Sequence, residues 1–313
     1  MTPFINIIVP CYNEQDALPE TARRLAALID DMVAGGTVAA NSGIIFIDDG
    51  SRDRTWSLIM ELRAARIDRI HGIKLSRNQG HQSALLAGLR HAPGDALISI
   101  DADLQDDIAV IPKMVSMFNE NNDIVYGVRQ SRDADTAFKR HTARIYYRLL
   151  NWMGVEIVPD HADFRLMSRR ALVAMNKYTE INLYVRAIVP LLGFKTAQVF
   201  YDRRPRIAGE SKYPLRKMLG LAINGITSFS MRPLRLITVM GFAMATLSFF
   251  IGVWAIAVAL FSTRAVPGWA STVVPIAFVG GLQLLSMGVI GEYVGKIYLE
   301  VKRRPLFEIE ETI

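Results

Sequence analysis

Cysteine is nearly absent from this 313-residue chain: Cys11 is the only one. A single cysteine excludes an internal disulfide framework and a thiolate-rich zinc site. Its place at the end of an apolar run reads as a small buried residue, not a nucleophile. The five histidines (His71, His81, His91, His141, His161) show no H-E-x-x-H or comparable ligand spacing. No G-x-G-x-x-G follows the first apolar run, which argues against dinucleotide binding. The G-x-x-x-x-G-K-[ST] loop of P-loop ATPases is missing, and so is the G-x-S-x-G elbow of the usual hydrolases. Met1-Thr2-Pro3-Phe4 carries no basic segment leading into a long apolar stretch, so no cleavable leader is expected and the first domain is expected in the cytoplasm.

Apolar length, by contrast, is plentiful. Hydrophobic residues make up 51%, and mean hydropathy is +0.21. Leu236 to Phe261 contains no charged residue, and a second uncharged run extends from Trp269 to Gly291. Each is long enough for a bilayer, which needs about 20 apolar residues. The polar turn between them, Ser262 to Ala270, carries only Arg264, whereas Lys212, Arg216, Lys217, Arg232 and Arg235 precede the first run. Lys296, Lys302, Arg303 and Arg304 follow the second. By the positive-inside rule both ends face the cytoplasm. From Lys212 to Met231, Leu215, Met218, Leu219, Ala222, Ile223 and Ile226 recur at helical spacing. That suits a helix lying in the membrane interface, with a linker helix packed on the soluble part as the competing reading. The net charge of +6 gathers near these spans, not on a soluble stripe interleaved with aromatics, so nucleic acid is not an expected partner.

The first 130 residues alternate short apolar runs with helical stretches: Phe4–Val9, Gly43–Ile47, Ile70–Leu75, Ala96–Ile100 and Asp123–Val128 are the runs. This alternation predicts an α/β domain with a mainly parallel sheet covered on both faces. Ligands of such sheets sit beyond the carboxyl ends of the strands. There the chain places Pro10-Cys11-Tyr12-Asn13-Glu14, Asp48-Asp49-Gly50-Ser51, Ser76-Arg77-Asn78-Gln79-Gly80, Asp101-Ala102-Asp103-Leu104-Gln105-Asp106 and Gly127-Val128-Arg129. Asp101 and Asp103 flank one residue, and carboxylates so close repel unless a cation lies between them. Oxygen ligands with little nitrogen or sulfur nearby suit Mg²⁺ or Mn²⁺, which would neutralise a diphosphate leaving group.

VPCYNE, DDGSRDRT, LSRNQGHQSALLAGL, DADLQD, DFRLMSR and RIAGESKY, followed by two spans and GEYVGKIYLEVKRRP, together resemble the family 2 inverting glycosyltransferases of GT-A fold. Among these the chain is similar to the polyprenyl-phosphate group: bactoprenol glucosyltransferases and dolichol-phosphate mannose synthases. The resemblance implies a catalytic domain over residues 1–211, an amphipathic juxtamembrane segment over 212–235, two transmembrane helices over 236–295 and a cytoplasmic tail over 296–313. It implies transfer of one hexose, glucose by closest resemblance, from a UDP-sugar to polyprenyl (undecaprenyl) phosphate at the cytoplasmic membrane face.

Position by position, it implies that Pro10, Tyr12 and Glu14 line the nucleotide pocket, that Asp48 or Asp49 contacts base or ribose, and that Arg129 lies near the donor phosphates. Arg77 belongs either to donor binding or to a local cap or salt bridge. Asp101, Asp103 and Gln105 are expected to hold the metal, and Asp163 and Arg165 to sit at the reacting end with Asp103. Arg203, Arg206, Ser211 and Lys212 are expected at the acceptor phosphate, with a solvated or lipid-facing cluster as the alternative for the arginines. Asp107-Ile108 replaces the Pro-Pro common after this motif, and the absence of Q-x-x-R-W argues for a single transfer over processive elongation. Other sugars on the same lipid, a diacylglycerol or protein acceptor, and a non-catalytic nucleotide-sugar-binding scaffold are the competing readings. The Gly280-Gly281 surface is compatible with a homo-oligomer.

Overall fold

The computed structural model describes residues 2–129, 161–180, 185–202, 232–261 and 269–313. Arg203, Arg206, Ser211, Lys212, the segment up to Met231 read above as an interfacial or linker helix, and the turn at 262–268 lie outside these residues.

The chain divides into two units. The first is built on an eight-stranded sheet in the order β7-β5-β6-β4-β1-β2-β3-β8. Its strands are β1 (Ile5–Cys11), β2 (Gly43–Asp48), β3 (Ile70–Leu75), β4 (Ala96–Ser99), β5 (Ile124–Arg129), β6 (His161–Ser168), β7 (Thr196–Tyr201) and β8 (Ile309–Thr312). Helices α1 (Leu18–Ala34), α2 (Thr55–Ala65), α3 (His81–His91) and α4 (Ile111–Asn119, after a 3₁₀ turn at Ile108–Val110) connect the first five strands. Short helices α5 (Arg169–Met175) and α6 (Val185–Leu191) follow β6.

Every residue of β1, β2 and β4 is buried, which is why these segments read as continuous apolar runs instead of alternating ones. Helix α1 buries Leu18, Ala22, Leu25, Ile29 and Met32 on one face, the three-to-four-residue stripe of a helix laid on a sheet. Helix α3 lies closer still: a methyl at Gly88 would sit 2.3 Å from Ile8 Cγ2, so only glycine fits there.

The five expected strands are present, with boundaries moved by a residue or two. Strands β6, β7 and β8 escaped the sequence pattern. β3, β2, β1 and β4 run parallel, whereas β6 enters antiparallel between β4 and β5. Strand direction therefore makes the amino end of β6 project from the same edge as the carboxyl ends of its neighbours.

The last strand is the chain's return to this sheet. β8 pairs antiparallel with β3, and the Gly72 and Ile313 backbones exchange two hydrogen bonds of 2.9 Å. Trp56 Nε1 donates to Glu311 at 3.2 Å, Lys74 Nζ to Glu310 at 2.9 Å, and the Phe307 ring stands edge-on to His91. β8 thus covers an otherwise unpaired edge. Deleting residues 306–313 is expected to lower the melting temperature of the detergent-purified chain by about 5 °C or more, on a scale of roughly 2–4 °C per kcal/mol for a unit of this size. An unchanged thermal-shift curve would show that β8 merely rests on the edge.

The second unit contains α7 (Arg232–Phe261) and α8 (Trp269–Lys302). Their most apolar stretches, Pro233–Ile251 and Phe278–Lys302, are long enough to cross a bilayer. Phe242, Phe249 and Trp254 on α7, and Leu284, Leu285 and Met287 on α8, are exposed. Exposed apolar residues along two helices of this length and composition mark association with a membrane.

Candidate active site

Strand order turns back on itself between β1 and β4, and in open α/β sheets the crevice at such a reversal receives the ligand. The loops after β1, β2 and β3 are laced into one wall of that crevice. Asp49 N–H donates to the Cys11 carbonyl at 2.9 Å. Asn13, at φ 54°, accepts from Arg52 N–H at 2.9 Å and donates its own N–H to Ser51 Oγ at 3.0 Å. Glu14 N–H donates to Thr55 Oγ1 at 2.9 Å. Gly50 has φ 63°, and a Cβ there would lie 2.6 Å from the backbone of Arg77 and Asn78, so the second and third loops touch at a point no larger residue could occupy.

This lacing assigns work to several predicted residues. Asp48 and Asp49 are buried, and burial raises both carboxyls above their ordinary pKa. Asp48 accepts from Ser51 N–H at 3.3 Å. Asp49 accepts from Gln79 N–H at 2.7 Å and Gly80 N–H at 2.9 Å, binding the third loop to the second. Pro10 is buried and Glu14 half-buried, while Tyr12 is 41% exposed and Arg77 is exposed.

The opposite wall comes from β4, β5 and β6. Ser99 pairs with Arg165 and Ile98 with Leu166. Carrying that antiparallel register two residues past the ladder sets Asp101 opposite Asp163, and Ser99 Oγ donates to the Asp163 carbonyl at the junction. Asp103 accepts from Gln105 N–H at 3.2 Å, and the residue between, Leu104, holds φ 50°, a strained conformation of the sort found at functional loops. Gln105 is buried. Arg129, closing β5, donates to buried Asp106 at 3.1 Å and to Tyr201 Oη at 3.4 Å. Tyr201 in turn donates to Asp106 at 2.5 Å. Arg129 is thereby held by the last carboxylate of the same motif that carries Asp101 and Asp103.

Asp163 is the most heavily partnered carboxylate at this edge. It accepts from Arg165 Nη2 at 2.6 Å and from Arg186 Nε and Nη2 at 3.0 and 2.9 Å. His81 Nε2 lies 3.4 Å from its second oxygen and 3.7 Å from Asp101. Burial alone would raise the Asp163 pKa, but His81, Arg186 and Arg165 together hold it well below the usual carboxylate range. Asp101 moves the other way, pushed up to about 6 by burial and by Asp163, Asp106 and Asp103, with His81 opposing. His81 is raised: burial pulls it down, but its two carboxylate neighbours outweigh both that and Arg186.

His81 and Arg186 were not anticipated. His81 has no motif spacing, since its partners come from distant strands, and Arg186 is one charge inside the apolar stretch VRAIVPL. The signals for His81 were its place within LSRNQGHQSALLAGL and its position directly after the third-strand loop, where ligand-facing residues gather.

The donor set also bears on a divalent metal. Asp101 and Asp103 are partly exposed carboxylates on one strand-end loop, with buried Asp106 behind them. Burial first, and then Asp163, Asp106 and Asp103, raise the proton affinity of Asp101, and a cation beside it would offset that crowding of negative charge. Among the described residues no three His, Cys, Asp or Glu side chains form a metal cage by themselves. Two carboxylates so placed fit a hard divalent cation shared with phosphate oxygens.

Comparison with known proteins agrees with this geometry. The chain is 50% identical over 98% of its length to the uncharacterized glycosyltransferase YkoT of Bacillus subtilis, covering 91% of that protein. It is 40% identical, over 98% of each chain, to the SfII prophage-derived bactoprenol glucosyl transferase of Shigella flexneri. It is 39% identical to the prophage bactoprenol glucosyl transferase homolog of Escherichia coli, over 98% of this chain and 99% of that one. The family model for glycosyl transferase family 2 matches residues 6–174, which span β1 through most of α5 and so both walls of the crevice. The sheet order, the strand-end carboxylates and these matches agree, and the chain belongs to glycosyl transferase family 2, with a GT-A catalytic unit.

Proposed function

We propose that this enzyme transfers a single glucose from UDP-glucose to polyprenyl phosphate at the cytoplasmic face of a membrane, with inversion at the sugar carbon. The observation that carries this reading is the combination, in one chain, of the Asp101–Asp163 crevice with two helices whose apolar side chains are exposed. Relatives named as bactoprenol glucosyl transferases support the glucose and lipid assignments.

The acceptor is a phosphate monoester with a second pKa of about 6. It arrives largely as a dianion and needs little deprotonation. Asp163 is matched to that requirement: a carboxylate held well below its ordinary pKa is a poor general base near neutrality. Its task is to orient the guanidinium groups of Arg165 and Arg186. Arg129, steadied by Asp106 and Tyr201, meets the donor phosphates. Asp101, Asp103 and Gln105 would hold Mg²⁺ or Mn²⁺, which when bound supplies positive charge where the nucleoside diphosphate departs. Tyr12, on the other wall, offers an exposed ring to the uridine, and Pro10 and Glu14 belong to the same pocket. Arg203, Arg206, Ser211 and Lys212 belong to the acceptor side, and the basic flanks of α7 and α8 keep both ends on the cytoplasmic face of a two-pass anchor.

The test is transfer of label into the organic phase by the detergent-purified chain, given undecaprenyl phosphate, Mg²⁺ and a panel of UDP- and GDP-sugars. Transfer from UDP-glucose alone, abolished by chelation, is the expected result. A different productive donor would replace the sugar assignment. Nucleotide binding without transfer from any donor would overturn the enzymatic reading for this acceptor.

A further inference from the structure

Helix α3 begins where the two walls of the crevice meet. Gln79 N–H and Gly80 N–H donate to the two Asp49 oxygens at 2.7 and 2.9 Å, pinning the chain to the first wall one residue before His81. Gly80 holds φ 90°, a left-handed value that favours glycine, and turns the chain directly into the helix. Further along, Ala84, Leu85, Ala87 and Leu89 are buried, and Gly88 lets the helix lie directly against Ile8. Val185 N–H donates to Gln82 Oε1 at 3.4 Å, fastening the same first turn to α6. The backbone of His81 is therefore fixed, and its ring reaches the opposite wall. There Nε2 lies 3.4 Å from Asp163 Oδ2 and 3.7 Å from Asp101 Oδ1.

The two carboxylates depend on this ring to different degrees. Asp163 is also held by Arg165 and Arg186. Asp101 has His81 as its one hydrogen-bond or ion-pair partner among the described residues. The acidic groups around it, Asp163, Asp106 and Asp103, repel its charge. A carboxylate that binds a cation is itself held in orientation by a neighbour, and losing that neighbour costs about 10- to 100-fold in metal affinity or activity. Resting on the reading of Asp101 as a metal carboxylate, we propose that His81 is a positioning residue: its imidazole, steadied by Asp163, orients Asp101 toward the divalent cation. His81 acts on the reaction only through Asp101.

The experiment titrates Mn²⁺ into the full chain in detergent and reads free Mn²⁺ by electron paramagnetic resonance. Excess UDP is present, supplying phosphate oxygens without turnover. His81→Ala is expected to weaken Mn²⁺ binding by about 10- to 100-fold. His81→Gln, whose amide places an N–H near the position of Nε2, is expected to fall between wild type and Ala. UDP affinity in the presence of chelator should stay within about twofold of wild type in both variants. The proposal fails if Mn²⁺ affinity in His81→Ala is unchanged, or if Ala and Gln weaken it equally. Tighter Mn²⁺ binding by His81→Ala would make the imidazole a competitor of the cation and also overturn it. A metal-free UDP affinity that falls as far as the Mn²⁺ affinity would place His81 on the nucleotide instead. Should His81→Ala not fold, His81→Gln is compared with the shorter His81→Asn: Gln is expected to bind Mn²⁺ more tightly, and equal affinities refute the role. A wild-type chain that binds no Mn²⁺ removes the metal reading of Asp101 and this proposal with it. If wild type binds Mn²⁺ but transfers no sugar, only the transferase reading has failed, and the Mn²⁺ constants still judge His81.

Discussion

Asp101→Asn is expected to abolish most turnover while making the metal-free protein more stable. Loss of a preorganised charge at a transfer site costs about 10²- to 10³-fold in rate. Asp101 is one of two carboxylates proposed to hold the divalent ion, so losses at the upper end are expected. The stability effect has the opposite sign. Folding raises the Asp101 pKa to about 6, so the folded state disfavours its charged form. The group binds a proton more tightly in the folded chain than in the unfolded one. Its contribution to stability is therefore fully present only below the unfolded carboxyl pKa of about 4, and it is lost as pH rises through the folded value of about 6. Asparagine removes the charge that burial and Asp163, Asp106 and Asp103 oppose. The melting temperature of metal-free Asp101→Asn should thus match or exceed wild type near pH 7.5, and the gap should narrow toward pH 5. Millimolar Mg²⁺ should raise the wild-type melting temperature and leave the variant's unmoved. A variant that melts lower than wild type without metal would show that His81 gives Asp101 more than its acidic neighbours take away.

The same contrast shows how far the sequence alone could be read. Fully buried strands such as INIIVPC and GIIFID announce themselves, because both faces are apolar and no other element explains a short run ending in polar residues. The strand-end rule then placed Asp101 and Asp103 without any structure. Strand β8 was invisible: Ile309–Thr312 reads IEET, and its pairing with β3 depends on an edge formed far earlier in the chain. The facing of Asp101 and Asp163 was equally out of reach. It depends on β6 inserting antiparallel between β4 and β5, and no periodicity encodes register between segments so distant. His81 and Arg186 follow from that register: they acquire a role only once Asp163 is known to stand between them.

Asp163→Asn is expected to lose both activity and stability. Asp163 and Arg165 are buried, and removing one partner of a buried ion pair leaves an uncompensated charge, at a cost of about 3–5 kcal/mol. Because Asp163 has its pKa held well below the usual range, its stabilisation is fully present above the unfolded carboxyl pKa of about 4. That stabilisation is lost as pH falls through the folded value, so the wild-type and Asn curves should converge only in acid. At neutral pH the variant should melt well below wild type. Turnover should fall about 10²-fold, the scale on which misplacing groups by about 1 Å slows an oriented reaction. The rate loss is expected in kcat and acceptor KM together, because Arg165 and Arg186 both lose their common anchor. Asp163→Glu separates charge from placement: it restores the anion with a longer reach. It should recover much of the melting temperature while leaving turnover low, since the carboxylate would then grip Arg186 from a shifted position. If Glu restored both equally, charge alone would be sufficient and the fixed geometry at β6 would be irrelevant. If Asn kept full turnover in the folded protein, Asp163 would have no part in orienting the arginines at the site.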